Sequence, residues 1–209
     1  MGFFSSLWDK AVSVVKSVGR VVVEGAKKLL GMSETTQNQV SERVEKVVVR
    51  ERIIERVIPA EELGYKVFDS NRNINEFNST SDFIKAIDAE IDVKKDELEN
   101  LDLNKKRELK ALGTSLYNKA LEEAKDISIP IEFWKEAVDR GMSAKEIDFL
   151  INKFKEEGIS PQDFVDYFKG NLNLIKKDLV KSAIIKAYKE LEPNISEEEI
   201  EKKVMLERS

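Results

Sequence analysis

The sequence predicts an all-α protein, and three observations carry that expectation. Apolar residues recur at three- and four-residue intervals along most of the chain, helix-start signatures punctuate its second half, and nine glycines and four prolines are too few for a loop-rich β protein. The expected organisation is an amphipathic basic helix over residues 1–31, a linker over 32–39 and a second apolar repeat over 40–58. A polar loop over 59–80, a long helix or helical hairpin over 81–125 and a C-terminal bundle of short helices over 126–209 complete it. An apolar content of 41% is enough to give these helices a core.

In the first segment, heptads counted from Phe4 place Phe4, Ala11, Val18 and Gly25 in one row, Leu7, Val14, Val21 and Lys28 in a second, and Trp8, Val15, Val22 and Leu29 in a third. These rows are neighbours on a helix and form an apolar stripe. Lys10, Lys16, Arg20 and Lys27 lie on the opposite, mainly cationic face. As a single helix, residues 3–30 span about 42 Å. Charges interrupt the segment too often for a conventional transmembrane span, and it lacks the uninterrupted core of a secretory signal.

Such a stripe has three uses: insertion into a membrane interface, a seam between helices, or the buried face of an ordinary helix. The aromatic end and basic face favour the interface. Phe3, Phe4, Leu7, Trp8, Val15, Val22 and Leu29 are then the apolar contacts, and Lys10, Lys16, Arg20, Lys27 and Lys28 meet anionic lipid or a partner. Gly2 followed by Ser6 also fits the short acylation pattern.

Gly31 is expected to stop the first helix, and Ser33 to Asn38 to serve as the linker. In the second repeat Val40, Val44, Val47, Ile54, Val57 and Ile58 have helical spacing, with Pro59 as its end. β-Branched residues dominate, so a strand competes with a helix there; as a helix, the segment suits a parallel oligomeric bundle.

Asp69, Asn71 and Asn73 imitate the start of a calcium loop, but Ile74 replaces the required glycine and Thr80 the bidentate glutamate. The segment therefore reads as an Asn/Ser-rich loop. After a Ser81 cap, Ile84, Ile87, Ile91, Leu98 and Leu101 keep a heptad register, while Leu109, Leu112, Leu116, Ala120 and Leu121 follow in a shifted one.

The C-terminal region carries the clearest local signals. Ser143 with Glu146, Ser160 with Pro161, and Ser196 with Glu199 are helix starts, and Gly141 and Gly158 fall where preceding helices end. Helices are expected over 131–140, 143–157, 161–169, 172–191 and 196–206, packed through Phe133, Trp134, Ile147, Phe154 and Phe164.

Composition excludes much chemistry. The chain has neither histidine nor cysteine, which removes imidazole bases, thiolate nucleophiles, zinc knuckles and disulfides. All nine glycines are isolated, so no phosphate-cradling loop exists. No catalytic, cofactor or metal site is expected, and the protein reads as non-enzymatic.

Charge is uneven. Residues 1–58 hold ten Lys/Arg against seven Asp/Glu, whereas residues 59–209 hold 25 against 33. A basic amphipathic segment on an acidic body points to attachment at an anionic membrane surface, as in a phage virion or ejection component or a membrane-remodelling protein. Self-association and protein contacts through the C-terminal module are expected alongside, with a peripheral-membrane or virion location and otherwise a cytoplasmic one. The rival reading is a soluble scaffold whose stripes are coiled-coil seams. A nucleic-acid regulator is disfavoured, because residues 131–209 hold 14 Lys/Arg against 17 Asp/Glu.

Overall fold

A computed structural model describes residues 11–205, and all regular structure among them is helical. The chain divides into two compact units, Met1–Ala124 and Lys125–Ser209.

The first unit contains α1 (Ala11–Val18), α2 (Arg20–Leu30), α3 (Glu34–Arg50), α4 (Ala60–Asp69), a 3₁₀ turn (Ile74–Glu76), α5 (Thr80–Glu90), α6 (Lys95–Glu99) and α7 (Leu103–Lys125). Its centre is α7, where every residue from Ala111 to Asn118 is buried. Eight consecutive buried positions exceed two helical turns, so this stretch is enclosed on all sides. Small residues allow that enclosure. A Cβ on Gly113 would stand 1.9 Å from the Ala60 carbonyl oxygen, and one on Gly64 1.9 Å from that of Leu109. Helices α4 and α7 thus cross backbone to backbone, each supplying a glycine to the other.

The hydroxyl groups buried by this close packing are paired. The Ser41 and Thr114 hydroxyls share a 2.7 Å bond, and Ser115 Oγ donates to the Val22 carbonyl at 2.7 Å. Tyr117 donates to the Ile58 carbonyl at 2.6 Å and accepts from the Ile58 amide at 3.2 Å. Arg107 donates to Gln37 Oε1 and to the Met32 carbonyl, tying α7 to the turn between α2 and α3.

Element boundaries in this unit differ from the expected ones. The linker over 32–39 is mostly helix: Ser33 caps α3 by accepting from the Thr36 amide at 3.2 Å, so helix begins at Glu34. The repeat over 40–58 is helical only to Arg50, where Arg52 turns into the left-handed region with φ 54° and its amide bonds back to Val49. Ile54 and Ile58 are nevertheless buried, from a non-helical segment. Pro59, expected as a stop, caps the start of α4, which occupies half of the expected polar loop. The cap of α5 is Ser79 in place of Ser81, its side chain accepting from the Asp82 amide. The run over 81–125 breaks twice, giving three helices instead of one or two.

The second unit contains α8 (Ile131–Asp139), α9 (Ala144–Glu157), α10 (Pro161–Phe168), α11 (Leu174–Leu191) and α12 (Glu197–Ile200), the last followed by a π turn to Met205. Capping boxes at Ser143 with Glu146 and at Ser196 with Glu199 are both formed, and Gly158 ends α9 in the left-handed region at φ 69°. The core is built round fully buried aromatic rings: Phe133 contacts Trp134, Phe154 and Phe164 at centroid distances of 5.9, 6.5 and 5.2 Å. These tilted and edge-on contacts suit the ring quadrupoles. A buried Lys125–Asp148 pair at 3.1 Å lies on the rim of this core.

Candidate functional site

The candidate site is the outer surface of α1 and α2. Gly19 separates the two helices at φ 84°, a conformation that suits glycine, while its amide still bonds to the Val15 carbonyl at 2.9 Å. The apolar stripe does not continue through this break in one register. In α2 the buried face is Val22, Val23, Ala26 and Leu29, with Val18 of α1 buried beside it. Val21 and Lys28, expected in the same apolar row, both face outward, and Val21 is 66% exposed.

The expected contact residues therefore separate into three groups. Phe3, Phe4, Leu7, Trp8 and Lys10 lie outside the described residues. Lys16, Arg20, Lys27 and Lys28 are exposed, and Lys27 sits 3.7 Å from Glu24. Val22 and Leu29 have no exposed surface and Val15 is half-buried, so the α2 apolar face packs into the core of the first unit. The physical reason is the phase change at Gly19 together with the close fit of α7, whose Ser115 bonds the Val22 carbonyl directly.

The other apolar stripe meets a similar end. Val40, Val44, Val47 and Val48 of α3 are buried within the unit, while Val57 beyond it is 44% exposed.

The polar segment over 69–80 and the lysines of α11 have local structural uses. Within 69–80, Asn73 accepts from the Asn75 amide and Ser79 caps α5. On α11, Lys176, Lys181, Lys186 and Lys189 pair with Asp163, Glu201, Glu157 and Glu197 at 2.6–2.9 Å. An open cleft of about 420 Å³ in the second unit is lined by Tyr167, Phe168, Leu174, Lys181 and Arg140. Arg140 is committed there: it donates to Glu136 and the Val204 carbonyl, and its guanidinium carbon stands 3.2 Å from the Phe168 ring centre.

Two titrating groups stand out in the first unit. Burial disfavours the Asp88 charge, but Lys66 at 2.6 Å and Arg56 at 3.1 Å outweigh it and hold the carboxyl below its usual range. Glu108 is the reverse case. Burial, with a smaller push from Asp102, raises its carboxyl to about 7, and its Oε2 has no hydrogen-bond partner. Among the described residues, no three acidic groups come together to hold a metal ion, and no helix is long and apolar enough to cross a membrane.

Sequence reasoning missed one surface. Leu174, Ile175 and Leu179 of α11 are 78%, 74% and 50% exposed. The signal was available: α11 carries apolar residues on two opposite sides, whereas a helix packed by one face needs only one.

No protein family model, curated protein or solved structure matches this chain.

Proposed function

We propose that this is a non-enzymatic helical protein that attaches to an anionic membrane surface through residues 1–31 and contacts other proteins through its C-terminal module. The observation that carries this reading is the outward cationic face of α2: Arg20, Lys27 and Lys28 are exposed opposite the buried Val22, Val23, Ala26 and Leu29, with Lys16 of α1 also exposed. Each such cation is worth about 1 kcal/mol near an anionic leaflet. Because Val22 and Leu29 are buried in the core, lipid insertion in this reading falls to Phe3, Phe4, Leu7 and Trp8, with Val21 at the rim. The location is then the peripheral surface of a membrane, cellular or viral.

Co-sedimentation with phosphatidylserine-containing vesicles tests the reading. The full chain is expected to pellet at low salt, and Lys16→Gln, Arg20→Gln, Lys27→Gln and Lys28→Gln combined to cut pelleting at least tenfold, as about 1 kcal/mol per charge implies. A chain that stays in the supernatant, or a quadruple variant that pellets equally, refutes it.

A further inference from the structure

We propose that the outer face of α11 pairs antiparallel with α11 of a second copy of this chain, about a twofold axis passing at Ser182. The inner face of the helix, Val180, Ala183, Ile184, Ala187 and Tyr188, is already spent on the core of its own unit. Opposite it, Leu174, Ile175 and Leu179 are solvent-exposed without disturbing that core. A helix with two apolar faces calls for cover on both.

Charge selects the occupant. The outer face is polarised along its length, with Asp178 in the N-terminal half and Lys186 and Lys189 in the C-terminal half. Ser182 lies midway: Asp178 is four residues before it and Lys186 four after, while Leu179 is three before and Ile185 three after. An antiparallel twofold at Ser182 therefore sets Asp178 against Lys186 of the second copy and Leu179 against its Ile185, twice over, while Leu174 and Ile175 lie along the aliphatic stems of its Glu190 and Lys189. The small serine at the axis lets the helices approach closely. Lys186 bonds Glu157 at 2.7 Å, but an ammonium has two further N–H donors to offer. A twofold at Asp178 is disfavoured, because it would oppose like charges. An anionic bilayer is the weaker occupant, because Asp178 lies beside Leu179 within the apolar patch and residues 131–209 as a whole hold 17 acids against 14 basic residues.

The pairing is independent of lipid contact by residues 1–31. One helix face is a small interface, so a monomer–dimer equilibrium is expected, with a midpoint on the order of 10–100 μM. Sedimentation velocity of the full chain across that range should show it. Leu179→Asp, at an exposed position, is expected to move the midpoint up at least tenfold with the helical circular dichroism unchanged. The chain has no cysteine, so Ser182→Cys introduces a unique thiol that is expected to oxidise to a covalent dimer at least tenfold faster than Lys145→Cys. Three results each overturn the pairing: a monomer throughout the range, a dimer indifferent to Leu179→Asp, or equal crosslinking at the two positions. Monomers whose vesicle pelleting is lost on Leu179→Asp overturn it in favour of lipid.

Discussion

The two units solve the same problem, burying a helical core, by opposite means. In the second, Phe133 and the three aromatic rings it contacts fill the centre, and α9 to α12 each start at an adjacent side-chain cap, Ser143, Ser160, Asn173 and Ser196. In the first, the centre is α7, where small residues such as Gly113, Thr114 and Ser115 interrupt the leucines and admit contacts from chain positions far apart, such as Gly64 and Ala60 against α7 and Ser41 against Thr114. One core is sensitive to lost volume, the other to added volume.

Four substitutions break or sharpen this contrast. The largest effect is expected from Phe133→Ala, which removes the ring touching all three other aromatics and should cost about 4 kcal/mol. Denaturant unfolding followed by Trp134 emission in a Trp8→Phe background reads it; a shift under 1 kcal/mol would mean that the cluster is not the core. Next is Gly113→Ala, where the added Cβ meets the Ala60 carbonyl at 1.9 Å. Forcing α4 and α7 apart should cost about 3 kcal/mol, and a neutral result would show that the crossing is looser. Hydrogen exchange is expected to place that loss in residues 20–124 and leave α8 to α11 protected.

The third tests the unpartnered carboxyl. Glu108 titrates near 7 in the fold against about 4.5 free, so the neutral form is the one the fold favours. Its contribution is complete below pH 4.5 and is lost as pH rises through 7. The first unit should therefore weaken by roughly 2 kcal/mol between pH 5 and 8, and Glu108→Gln should flatten that dependence. An unchanged pH profile in the variant would contradict the assignment. The smallest effect is expected from Ser143→Ala, which removes one side-chain cap of α9 and should cost about 1 kcal/mol, seen as a lowered second-unit midpoint.

Legibility in the sequence follows the same division. Helices of the second unit begin at Ser143, Ser160 and Ser196 because the cap, its partner and the following apolar residue all lie within a few positions. In the first unit, the decisive facts are pairwise and distant. Nothing near Gly64 announces that Leu109 will lie against it, and nothing near Val22 announces Ser115. The stripe over residues 3–30 was readable as amphipathic, but its partner was not. Periodicity reports that a face is apolar and is silent on what covers it. The left-handed turn at Arg52 was equally hidden, since glycine is the usual marker of that conformation.

That division also bears on function. Core packing claims Val18 and the Val22 side of α2, so in the proposed attachment lipid contact falls to the cationic side of α2 and to Phe3, Phe4, Leu7 and Trp8. Hydrogen exchange of the full chain with and without phosphatidylserine vesicles tests this most directly. The account predicts that peptides within residues 1–18 gain protection on vesicles while those from 20–30 keep the same strong protection in both states. Unchanged exchange in residues 1–18, or loss of protection across α2 as it leaves the core, would contradict it.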